Sequence, residues 1–221
     1  AAFLLVYLLL AFLLAYPALM AELIIGRHAQ ANMVTALEGL SPRPLARRFG
    51  RATGLVGVVT ASAILCFYSI IAGWMIAYLL QPLAQVAGQP VAAQWLVEFS
   101  LPRNVLFTGL FMVLTGAVIA AGVEDGIEKW SRRLMPALFV LLVVLIAYVL
   151  TRPGAEAGLR HYLIPDFSQL SDPQLLIAAL GQAFFSMSLG VGTMLIYGSY
   201  ISRDENLPKL GVLVTLTDTS V

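Results

Sequence analysis

The chain has 221 residues, 60% of them hydrophobic and 11% charged, with a formal net charge of +1. A soluble domain carries roughly 25% charged residues, so this balance excludes one. No basic patch interleaves with aromatics, which argues against a nucleic-acid partner. The single cysteine, Cys66, lies in an apolar run and excludes a disulfide framework or a cysteine metal cluster.

The charges are clumped. None falls between Arg51 and Glu98, Arg103 and Glu124, Arg133 and Arg152, or Asp172 and Arg203. About 20 apolar residues cross a bilayer as a helix, so each gap predicts a span. In chain order, helices are expected at about 3–25, 53–84, 104–123, 134–151, 173–202 and 208–221. Together they make one all-α transmembrane domain over residues 1–221, a polytopic membrane helix bundle.

The first run contains one charge, Glu22, and a proline, Pro17, that is expected to kink it. It has no basic leader and no small-residue cleavage site, so it does not read as a signal peptide. Residues 29–39 predict a short amphipathic helix, and the two prolines of Ser41-Pro-Arg-Pro44 predict a break after it. Before the 173–202 run, Ser171 or Asp172 is expected to cap, with Pro173 at the first helical position. The chain opens and stops inside apolar segments, so both ends read as cuts in a longer protein.

Alternating the loops puts ten of the thirteen basic residues on one side, among them Arg27, Arg43, Arg47, Arg48, Arg51, Arg132 and Arg133. The other side holds Arg103, Arg152 and Arg160. By the positive-inside rule the first side is cytoplasmic.

The 173–202 run is too long for one straight crossing, since thirty helical residues span about 45 Å against about 30 Å of hydrocarbon. Its centre, Phe184-Phe-Ser-Met-Ser-Leu-Gly-Val-Gly192, is rich in serine and glycine and weakens the helix. One reading is a break near 186–190 whose freed amides and carbonyls bind something. The other is a continuous tilted helix packed through its small residues.

Two carboxylates stand out. Glu22 at membrane depth is either a solvated helix-end group or an acceptor for amides freed by the break. Asp218, between Thr217 and Thr219 in the last run, offers hard oxygens suited to an alkali cation, or a helix–helix hydrogen bond.

Together these residues resemble the neurotransmitter:sodium symporter family. The motifs that carry the likeness are Gly158-Leu-Arg-His-Tyr-Leu-Ile-Pro-Asp-Phe167, the 181–192 stretch, Tyr197-Gly-Ser-Tyr200, Gly126-Ile-Glu-Lys129 with Met135-Pro136, Phe67-Tyr68 with Trp74, and Tyr7 with Pro17 and Glu22. The resemblance runs along the whole chain and implies the second to early seventh helices of an inverted-repeat transporter with a broken sixth helix.

It further implies substrate contacts at Ile64, Tyr68, Phe185, Ser186, Ser188 and Val191, and sodium ligands at Ser186 and Asp218. Glu22, Gly190 and Gly192 would support the unwound segment, and Tyr200 would serve the cytoplasmic gate. Tyr7, Gln182 and Ser186 match an anion site. Many members carry asparagine where Asp218 stands, so chloride is expected not to be required. The family's first and eighth helices, which complete the sodium and substrate sites, are not in this sequence, so this stretch is not expected to transport alone.

The implied function is sodium-coupled symport of a small hydrophobic amino acid by alternating access, in a multi-pass plasma-membrane protein surrounded by lipids, with a homodimer allowed. A transport-dead sensor or assembly subunit keeping the fold is the rival. An enzyme is not expected, since no His-Glu metal motif or nucleophile–base pair occurs, and His28 and His161 are expected in loops on opposite sides.

Overall fold

The structure, a computed structural model, describes residues 2–164 and 172–220. The described residues are helical with no strand, and four helices are long and apolar enough to cross a membrane. They are α1 (Ala2–Ala29), α3 (Pro44–Val86), α5 (Leu101–Ala120) and α6 (Val123–Leu150). Shorter helices are α2 (Met33–Gly39), α4 (Pro90–Val97), α7 (Ala155–Leu163), α8 (Pro173–Ser186), α9 (Thr193–Tyr200) and α10 (Leu207–Ser220).

Several boundaries differ from the sequence expectation. α3 starts at Pro44 instead of near 53, because a proline at a helix start forfeits no hydrogen bond and the following Leu-Ala-Arg-Arg favours helix. α6 starts at Val123 instead of near 134, through a π-helical stretch, Val123–Glu128, entered from Gly122 at φ 88°. α4 and α7 were not anticipated. His28 sits in the last turn of α1 and the backbone of His161 in α7, where loops were expected. Ser171 and residues 165–167 of the resemblance motif lie outside the described residues; Asp172 caps α8 by accepting from Gln174 N at 2.9 Å.

Pro17 shows its effect as a change of helix type. It has no N–H, and immediately before it the helix passes through a π turn, Ala11–Ala15, in which Tyr16 N–H reaches back five residues to Ala11 O.

The chain divides into two compact units: residues 1–61 with 146–221, and residues 62–145. In the first, α1 is the central element. Its first part packs on α8, its π turn on α8 and α10, and its last part on α9 and α10. Ala11, Ala15, Leu19 and Leu23 recur every four residues and form one buried face against Ala179, Ala183 and Leu207. The α1–α9 crossing is set by Gly26 and Gly198. A Cβ on Gly198 would lie 2.6 Å from Leu23 O, and one on Gly26 would run into Leu195 O. Glycine at both positions is what lets the backbones touch.

In the second unit, α3 and α5 meet at Gly73, where a Cβ would lie 2.7 Å from Thr108 N, and at Ser69, whose hydroxyl is 3.1 Å from Met112 Sδ. Arg103 is fully buried there. Its guanidinium donates to Leu96 O at 3.0 Å and to Asn104 Oδ1 at 2.8 Å, and stacks over the Tyr78 ring at 5.6 Å. A residue expected in a solvated outer loop instead ties α4 to α5.

Candidate functional site

The segment expected over 173–202 is two helices, α8 and α9, joined by unwound residues 187–192. α8 closes in a Schellman arrangement: Leu189 N donates to Phe184 O at 2.9 Å, and Ser188 N to Phe185 O at 3.0 Å. The motif needs a left-handed residue just past the helix end. Ser188 holds it, at φ 52°, where glycine is usual. Gly190 and Gly192 follow at φ 84° and 77°, and Ile196 N bonds to Gly192 O at 3.0 Å to open α9.

The side chains of the break sort into two sets. Met187 and Leu189 are buried in the α1 cluster and anchor the turn. Phe185 is 54% exposed, while Ser188 and Val191 are half-buried. The substrate candidates thus lie off the anchored side.

Glu22 meets the break from α1. Its Oε1 accepts from Gly190 N at 2.7 Å, just before α9 begins. A negative charge there faces the positive end of the α9 dipole. Oε2 is buried and has no hydrogen-bond partner among the described residues.

On the other side of the break, Ser186, the last residue of α8, donates its hydroxyl to Asp218 Oδ2 of α10 at 2.7 Å. This pair of hard oxygens, at the negative C-terminal end of α8, suits a small cation. Of the threonines flanking Asp218, Thr219 donates to Thr215 O of its own helix at 2.8 Å and Thr217 is exposed. Thr215 was not singled out in the sequence; it is fully buried and its hydroxyl has no partner among the described residues.

Among the described residues no hydrogen bond links the three anion-site candidates to one another. Tyr7 is buried and stacks on Phe3 at 6.5 Å, Gln182 is exposed on α8, and Ser186 donates its hydroxyl hydrogen bond to Asp218. Tyr200 is exposed at the end of α9. Nearby, Arg27 donates from α1 to Glu205 O at 2.9 Å and ties down the loop after α9. Ile64 and Tyr68 lie on α3 in the second unit, where Tyr68 meets Phe67 edge-on with centroids 5.8 Å apart.

Residues 102–221 match the sodium:neurotransmitter symporter family. The whole chain aligns with the sodium-dependent transporter YhdH of Bacillus subtilis at 36% identity, covering 49% of that protein. Ninety per cent of the chain aligns at 28% with the sodium- and chloride-dependent taurine transporter of Bos taurus, covering 38% of it. A sodium-dependent neutral amino acid transporter of Rattus norvegicus, B(0)AT2, is 25% identical over 97% of the chain and is covered to 33%. The chain spans about half, or less, of the length of these relatives. Its four spans and this match make it part of a multi-pass integral membrane protein of a family of transporters rather than enzymes: the chain belongs to the sodium:neurotransmitter symporter family.

Proposed function

We propose that the intact protein couples sodium entry to uptake of a small, hydrophobic amino acid across the plasma membrane by alternating access. The observation that carries this reading is the unwound 187–192 segment, held by Glu22 on one side and flanked by the Ser186–Asp218 pair on the other. A broken helix offers amide donors where α9 begins, suited to a substrate carboxylate, and carbonyl and hydroxyl oxygens where α8 ends, suited to sodium as co-substrate. Phe185, Ser186, Ser188 and Val191 lie at the break and are the substrate contacts proposed in this unit; the resemblance separately suggests Ile64 and Tyr68. Phe185, Val191 and Ile64 are apolar and favour a hydrophobic side chain.

Asp218 also bears on anions. In Ser186 it holds one of the three residues matched to a chloride site, and an ionised carboxylate repels a neighbouring anion. We take Asp218 to replace the halide as the charge that balances sodium. The test is amino-acid uptake by the intact protein in proteoliposomes with and without a sodium gradient. A binding-only sensor would bind the amino acid and accumulate none.

A further inference from the structure

Glu22 is not the only residue that grips the unwound turn. Met33, the first residue of α2, is buried, and with Ala36 it packs against Leu195 in the first turn of α9. Asn32 caps α2 by accepting from Thr35 N at 3.0 Å, which fixes Met33 at its place. α2 itself lies flush on the start of α3 over three glycines. A Cβ on Gly50 would lie 2.8 Å from Leu37 C, one on Gly54 2.7 Å from Val34 Cα, and one on Gly57 2.7 Å from Met33 Sδ. Their spacings of four and three put all three on one helix face.

The same side chain reaches the break. A Cβ on Gly192 would overlap the Met33 sulfur and lie 2.8 Å from its Cγ, and one on Gly57 would come within 3.6 Å of Val191 O. The thioether therefore fills a socket walled by the backbones of α3 and the unwound segment, with Leu195 beside it. Gly192 is required there twice over, by its φ of 77° and by the sulfur that stands where a Cβ would be. An unbranched thioether suits such a socket because it bends to fit irregular space.

The place matters because of what begins there. Gly192 opens α9 by accepting from Ile196 N at 3.0 Å, and the amides of the first turn have no acceptor within their own helix. These are the donors proposed for a substrate carboxylate. Glu22 fixes the approach to them at Gly190, and Met33 fixes their start at Gly192.

We infer that Met33 is a positioning residue for the substrate: its thioether, seated between Gly57 and Gly192, holds the first amides of α9 where they receive the carboxylate. The inference rests on the reading of the break as the substrate site. Affinity for the amino acid then depends on a side chain that never touches it.

The test compares the intact protein with Met33→Ala, Met33→Leu, Gly57→Ala and the Met33→Ala, Gly57→Ala double variant. Leu96→Ala, which empties a buried place in the second unit, is the control. Hydrogen exchange across residues 190–195 reads the seat, and sodium-driven leucine uptake in proteoliposomes reads KM and maximal rate. Met33→Ala should speed that exchange and raise KM several-fold with a smaller change in maximal rate. Met33→Leu, of similar volume, should restore both. Gly57→Ala should act like Met33→Ala, since its methyl evicts the sulfur. The double variant should recover much of the loss, because the methyl then occupies the vacated socket. Leu96→Ala should lower the thermal midpoint and move neither readout.

Unchanged exchange in Met33→Ala and Gly57→Ala, losses that add in the double variant, or an equal KM shift in Leu96→Ala would overturn the inference. Faster exchange with a wild-type KM would also overturn it, by making Met33 a packing residue alone. A wild type that accumulates no leucine would sink the transport reading by itself; unchanged exchange in Met33→Ala would then sink this inference as well.

Discussion

Glu22 and Gly190 are 168 residues apart in the chain, and the carboxylate of one lies 2.7 Å from the backbone amide of the other. This contact spans from a helix near the start of the chain to the left-handed turn that separates α8 from α9. Removing the acceptor leaves the Gly190 N–H without its partner and forfeits a hydrogen bond to a carboxylate, worth about 1.5–3 kcal/mol. Glu22→Ala in the intact protein should therefore lower its thermal midpoint and abolish uptake. Glu22→Gln, which keeps one acceptor oxygen, should fall between the two. Wild-type uptake by the alanine variant would show that the carboxylate does not support the break.

The Gly26–Gly198 crossing leaves no space for a side chain. Gly198→Leu should cost about 1–3 kcal/mol or prevent assembly, because the clash is with the Leu23 backbone, which cannot rotate away. Gly181, where a Cβ would meet nothing, is the control: Gly181→Ala should cost no stability and should raise it by about 0.5–1 kcal/mol, since alanine favours the helix interior. Thermal unfolding of both variants in detergent decides it.

Ser188 occupies a left-handed conformation that costs an L-residue roughly 1–2 kcal/mol and glycine almost nothing. Ser188→Gly should be as stable as wild type or more so, and Ser188→Val less stable, since a β-branched residue tolerates positive φ poorly. If Ser188→Gly keeps its stability but loses substrate affinity, the hydroxyl is a substrate contact. Unchanged affinity would assign Ser188 to the turn alone.

Arg103 donates hydrogen bonds from a fully buried position, each worth about 1.5–3 kcal/mol for a charged donor. Arg103→Met should loosen α4 from α5 and speed hydrogen exchange across residues 90–97. Arg103→Lys should behave nearly as badly, because an ammonium cannot serve Leu96 O and Asn104 together in the guanidinium geometry. Unchanged exchange in both variants would refute the clamp.

What the sequence made legible follows from where its polar groups fall. Two serines and two glycines within 184–192 cannot hold a helix as well as their neighbours do, and a lone carboxylate at membrane depth must find donors. The membrane spans are written in the gaps between charges. Less legible were features that depend on backbone geometry or on tertiary partners. The π turn at Ala11–Ala15 is composed of ordinary helix formers, and only Pro17 beyond it hints that the hydrogen-bond pattern must shift. Arg103 was counted among loop arginines because its buried acceptor is a main-chain carbonyl, invisible in the residue letters. The early start of α3 was hidden by Pro44, a residue that breaks a helix interior but begins one without penalty.

The most direct measurement of the account is uptake of radiolabelled leucine by the intact protein in proteoliposomes, with an inward gradient of sodium or choline, and chloride either present or replaced by gluconate. The account predicts accumulation that requires sodium, is blocked by excess unlabelled leucine or tryptophan more than by glutamate or lysine, and continues in gluconate. It also predicts that Asp218→Asn becomes chloride-stimulated. Accumulation indifferent to sodium would contradict the coupling, and wild-type uptake that vanishes in gluconate would contradict the role given to Asp218.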